Sequence, residues 1–159
     1  MVAAPCLAAP DTPGQAVAVL WRAISHEAGQ AGDAAALRAI LHPEAMVYGG
    51  HYRDGAPAFS VTRGDAFAAA QERVGKSAFY ECEIVREVRQ YDRFATVYSV
   101  VESRRDRGAA APELTGVNSI QLYRGEDGWR IVSLSYQVEK AGLPVPLQGG
   151  RSGVCLDQS

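Results

Sequence analysis

SAFYECEIVREVRQYDRFATVYSVVESRRDRGAAAPELTGVNSIQLYRGEDGWRIVSLSYQVEK, the stretch from Ser77 to Lys140, decides the fold. From Ala78 to Val88 the side chains alternate. Tyr80, Cys82, Ile84 and Val88 fall on one side and Glu81, Glu83 and Glu87 on the other, the period of two expected of a strand with one wet face. Tyr91-Asp92 turns the chain into Phe94 to Glu102, whose β-branched and aromatic content suits a strand covered on both faces. A polar, Ala-rich loop from Arg104 to Pro112 follows. Leu114 to Tyr123 and Trp129 to Glu139 then flank Arg124-Gly125-Glu126-Asp127-Gly128, a hairpin signal. The stretch predicts four long strands.

Upstream the pattern is helical. Thr12 can cap a first helix, with Pro13 at its first position and Gln15 completing a capping box. Val17, Leu20, Trp21, Ile24 and Ala28 recur at three- and four-residue steps and form one apolar stripe. A second helix starts at Asp33, buries Leu37, Ile40 and Leu41, and ends at Pro43. Ala45 to Tyr48 reads as a short strand. The residues from Gly49 to Thr62, broken by Gly49-Gly50, Asp54-Gly55 and Pro57, read as a loop or loose hairpin of the kind that carries function. Thr62-Arg63-Gly64-Asp65 opens a third helix with Phe67, Ala70 and Val74 inside.

With 159 residues the chain is long enough for one domain with a real core. It divides into a flexible N-terminal segment (1–12), one α+β domain (13–140) and a flexible Pro- and Gly-rich tail (141–159). No apolar run approaches the ~20 residues that span a bilayer, so no membrane insertion is expected. A net charge of -2 with interspersed signs gives no footprint for nucleic acid. Cys6, Cys82 and Cys155 share no metal or redox spacing. Three thiols suit a reducing cytosol, and the cytoplasm is favoured over export. A Cys6–Cys155 disulfide, leaving Cys82 as a small buried hydrophobe, would instead suit an oxidising compartment or the periplasm.

The order of elements, with His42-Pro43-Glu44-Ala45 closing the second helix and Gly128-Trp129-Arg130-Ile131-Val132 opening the last strand, resembles the nuclear transport factor 2-like superfamily, in particular its SnoaL-like bacterial branch. The likeness covers about Pro13 to Glu139. It implies a cone-shaped, cystatin-like α+β fold in which N-terminal helices pack on a strongly curved antiparallel sheet around a mostly apolar pocket. It also implies a homodimer formed through the outer sheet face. Members include steroid isomerases, dehydratases, epoxide hydrolases and polyketide cyclases, and fold alone does not choose among them.

Such a cone draws its lining from the first helix, the loop after the first strand and the inner faces of later strands. Trp21, Tyr48, Tyr52, Phe59, Tyr80, Tyr98, Asn118 and Tyr136 are the expected ligand-binding residues, for a small apolar or aromatic molecule. A register slip of one residue would turn Asn118 and Tyr136 to the opposite face. His51 is the leading acid/base candidate and Asp54, three residues on, the second. Arg86 shares the parity of Tyr80 and Ile84 and could bind a ligand carboxylate or pair with a partner subunit. The three histidines lack the spacing of a metal pair, and no metal or cofactor is expected. Steroid isomerases carry pocket aspartates on strands, whereas Asp92, Asp106 and Asp127 fall here in turns or loops, so that mechanism is not expected. The alternative to a pocket protein is a non-catalytic homodimeric interaction module.

Overall fold

A computed structural model describes residues 9–157. Cys6, and with it most of the N-terminal segment, lies outside the described residues. The first helix, α1 (Pro13–Ile24), starts on the expected box: Thr12 accepts from the Gln15 backbone at 3.2 Å, and the Gln15 side chain accepts from the Thr12 N–H. The second, α2 (Ala34–Ile40), is capped by Asp33. Strands β1 (Leu41–Arg53) and β2 (Ala56–Arg63) follow, then α3 (Gly64–Ala70) and four long strands: β3 (Tyr80–Tyr91), β4 (Phe94–Arg104), β5 (Leu114–Gly125) and β6 (Gly128–Val138).

The six strands form one sheet in the order β2-β1-β6-β5-β4-β3. Helix α1 packs on β3 and β6, and α3 on β1. Leu20 and Leu37 of the helices meet Ile120, Leu122 and Trp129 of the sheet in a core with no solvent contact to speak of. The purely antiparallel sheet expected from sequence needs one correction, because β1 runs parallel to β6, from Met46 opposite Ser133 to Gly50 opposite Gln137. Helices α1 and α2 bring the chain onto that edge in the direction that β6 later takes, a pairing between elements too distant in sequence to carry a turn signal.

The segment 49–62, expected as a loop or loose hairpin, is a regular hairpin. Asp54 and Gly55 both have positive φ, 51° and 78°, as a two-residue turn between twisted strands requires. Gly49 and Gly50 continue β1 because larger residues would not fit. A Cβ on Gly49 would lie 2.3 Å from the Tyr136 hydroxyl, and one on Gly50 2.1 Å from Gln137 Oε1.

The tail, expected to be loose, folds back over the outer face of β3 and β4. Cys82 bonds to Cys155, not to nothing, so the Cys6–Cys155 pairing and the free, inert Cys82 are both overturned. Val145, Leu147 and Cys155 pack on Ile84 and Val100. Leu156 N–H donates to Glu83 O at 2.8 Å, and Gly153 N–H donates to Glu102 Oε2 at 2.9 Å. These ties explain why Glu102 and Arg104, an ion pair at 2.8 Å on the outer face of β4, are buried. No helix is long and apolar enough to cross a membrane among the described residues.

Candidate functional site

The helices and the concave face of the sheet leave a cup of about 310 Å³, near the lower end of the range for small-molecule sites. Trp21 and Ile24 of α1, Phe67 of α3 and Leu134 of β6 give it an apolar wall. Asn118 and Tyr136 face each other across β5 and β6 and both line it. Asn118 Nδ2 donates to Ser99 O at 3.4 Å, leaving its other N–H uncommitted there.

The unexpected member is Glu81. Its residue as a whole is half-buried and lines the cup, but Oε2 is fully enclosed and has no hydrogen-bond partner. Loss of hydration disfavours the charged form, and burial pushes the carboxyl up to about 7. Trp21 Nε1, whose residue also lines the cup, is the other enclosed side-chain atom without a partner among the described residues. An unpaired carboxyl and an unpaired N–H thus border one apolar cavity. Orphaned buried groups of this kind are uncommon in folded proteins and concentrate where ligands bind or chemistry occurs.

Sequence parity placed Glu81 and Glu83 on a wet face and Tyr80, Cys82 and Ile84 inside. The alternation is real, but only Glu87 is exposed. Cys82 and Ile84 look outward, and their face is apolar because the tail covers it. A bulge between Glu83 and Val85 then shifts the register against β4. Glu83 is buried, accepts from Ser99 Oγ at 2.6 Å and pairs with Arg86, which also pairs with Asp157 of the tail. Arg86 is therefore spent within its own chain.

Of the other expected residues, Trp21 lines the cup and Tyr80 stands outside it. The Tyr80 hydroxyl donates to Glu27, which raises the phenol above its ordinary value, and Arg107 lies 3.9 Å over its ring. Tyr98 faces outward among the residues that pack against the tail. Tyr48 stacks on Phe59 at 6.3 Å on the β1–β2 hairpin, where Phe59 is exposed, and Tyr52 lies near Lys140. His51 pairs with Ala58 in the same hairpin and Asp54 occupies its turn; neither lines the cup.

A second chamber, about 420 Å³, lies on the other side of Trp21 and Glu81 and opens to solvent between α1, Arg107 and the tail residues Cys155 and Asp157. A larger surface depression lies at the opposite end of the strands, among the turns around Arg93, Arg124 and Asp127, and holds no enclosed unpaired side-chain group among the described residues.

The raised Glu81 carboxyl has a consequence for stability. Between its ordinary 4.5 and about 7 the folded protein holds a proton that the unfolded chain releases. The contribution is therefore full below 4.5 and lost as pH rises through 7. Urea unfolding is expected to show about 3 kcal/mol less stability at high pH from this group. Glu81→Gln should flatten that slope.

The architecture is that of a pocketed α+β cone, and known structures specify it further. No family model matches the chain, and no curated protein is a significant match. Solved structures do match. An NTF-2-like protein of unknown function from Silicibacter pomeroyi shares 20% identity over 79% of this chain and 92% of its own, with a TM-score of 0.51. A candidate calcium/calmodulin-dependent protein kinase type II association domain from Thiobacillus denitrificans aligns at 15% identity over 83% and 98%, TM-score 0.56. A candidate ketosteroid isomerase from Parabacteroides distasonis aligns at 10% over 80% and 88%, TM-score 0.53. The fold of this chain is the nuclear transport factor 2-like, cystatin-like fold.

Proposed function

We propose that the protein binds a small, mainly apolar molecule bearing a carbonyl or hydroxyl group and moves a proton on it through Glu81. Isomerisation, dehydration and cyclisation of the SnoaL-like kind are the reactions this covers. The observation that carries the reading is the enclosed Glu81 Oε2, without a hydrogen-bond partner at the edge of an apolar cup, where burial pushes the carboxyl up to about 7. A group that titrates near 7 has both forms present at working pH, which suits general acid/base catalysis. The carboxylate takes a proton from the carbon next to a carbonyl, the bonding pair moves into the enolate, and the acid form returns the proton to another atom. Trp21 Nε1–H and the Tyr136 hydroxyl are the donors available to the enolate oxygen. The role that the sequence suggested for His51 and Asp54 passes, on this reading, to Glu81.

The test uses tetralone, an uncharged aromatic ketone of suitable size, in deuterated buffer. The protein is expected to accelerate exchange of the protons next to the carbonyl, followed by NMR, and Glu81→Gln to abolish the acceleration. Binding of tetralone with no acceleration would remove the acid/base reading. A non-catalytic homodimeric module is the second reading, favoured by Phe59 and Val61, 71% and 55% exposed on the edge hairpin. Light scattering that gives a monomer at micromolar concentration removes it.

A further inference from the structure

We propose that residues 145–157 are a detachable wall of the Glu81 site, latched by Cys82–Cys155, and that thiol–disulfide exchange at Cys155 opens and closes the outer chamber. The inference rests on Glu81 belonging to the site, and it goes beyond the acid/base reading. Three observations carry it.

The segment forms part of the site, since Cys155 and Asp157 line the chamber that reaches Glu81 from outside. It is also weakly held apart from the disulfide. Beyond Val138 the chain contains no further helix or strand among the described residues. Its polar ties are the bonds from Leu156 and Gly153, a 2.7 Å bond from Val145 N–H to Glu139 Oε2, a 3.3 Å bond from Arg104 to Ser152, and the ion pair of Asp157 with Arg86. Asp157 is 41% exposed in that pair, and Val154 and Leu156 are half-exposed. Ordering an irregular segment costs conformational entropy at every residue, and these ties, with the packing of Val145 and Leu147 on Ile84 and Val100, offset it only in part. The covalent bond therefore decides whether the wall stays in place. Finally, the bond can be reached. Cys82 is buried, but Cys155 faces the solvent-open chamber.

The step balances with a dithiol reductant. Its thiolate attacks Cys155 Sγ, the sulfur–sulfur bond breaks, and the electron pair leaves on Cys82, which takes up a proton. The second thiol of the reductant resolves the mixed disulfide, leaving Cys155 as a thiol and the reductant as a disulfide.

Carbodiimide labelling of Glu81 reads the opening directly. Oxidised wild type, wild type reduced with dithiothreitol, and Cys155→Ser are each treated with a water-soluble carbodiimide and glycinamide at about pH 6, below the Glu81 midpoint, and label is quantified by peptide mass spectrometry. The cup side of Glu81 is common to all three, so a difference reports the outer chamber. Reduced protein and Cys155→Ser are expected to label Glu81 about tenfold faster than oxidised wild type, with the exposed Glu44 labelling equally in all. Equal Glu81 rates overturn the proposal. So does loss of the near-ultraviolet circular dichroism of Trp21 and Trp129 on reduction, since the bond is then a staple for the whole domain. Absence of tetralone exchange would remove the acid/base reading while leaving a labelling difference intact; equal labelling would remove the latch while leaving exchange intact.

Discussion

Glu81→Gln is expected to slow enzyme-promoted proton exchange from tetralone by at least about 100-fold, the usual contribution of a positioned general base. The amide has nearly the same volume as the carboxyl, so the cup keeps its shape and tetralone affinity should barely change. A fall in rate with binding intact is the signature of a group that acts in the transition state and not in ground-state binding. The loss should appear across the whole pH range, because glutamine does not titrate. In wild type the rate should rise with pH through about 7 as the carboxyl ionises. If Glu81→Gln retained wild-type exchange, the proton acceptor would have to be another group, and the buried carboxyl would have no catalytic role.

Removing the disulfide should have the largest effect on stability. Cys82 and Cys155 are separated by 73 residues, and closing a loop of that length restricts the unfolded chain by about 4 kcal/mol. Cys155→Ser is expected to lose about that amount in urea unfolding, with the melting temperature falling by about 10 °C or more. Reduced wild type should match the variant, and the variant should not respond to reductant. Domains commonly have about 5 to 15 kcal/mol of stability, so the reduced protein is expected to stay folded. Equal unfolding curves with and without reductant would mean that the tail adds no constraint.

The strands of the second half and the start of α1 were legible in the sequence because their signals are local: the turn at Gly125–Gly128, the period of two at the start of β3, and the box at Thr12 and Gln15. Asn118 and Tyr136 were expected on the concave face with a one-residue slip left open, and the turn alone does not decide it, because a bulge between Gln121 and Leu122 shifts the register by one before the Asn118–Tyr136 pair. The inner face of β3 was not legible. Both of its faces are covered, one by α1 and the other by the tail, so Tyr80, Cys82 and Ile84 look like core from sequence although they lie outside the cup. The signal that would have settled it was the cysteines. Pairing Cys82 with Cys155 puts the even-numbered side of β3 under the tail and turns Glu81 inward. Pairing Cys155 with Cys6 removes that clue. Gly49-Gly50 misled in a related way, because glycine marks a close approach of Tyr136 and Gln137 as readily as a break.

The proposed chemistry requires that the cup hold the Glu81 carboxyl away from water with no partner. Titration of the glutamate side-chain carboxyl carbons by NMR, with Glu81→Gln supplying the assignment, measures it directly. A Glu81 midpoint of about 7 is expected. A midpoint at the ordinary value of 4.5 would show a hydrated or paired carboxyl and contradict it.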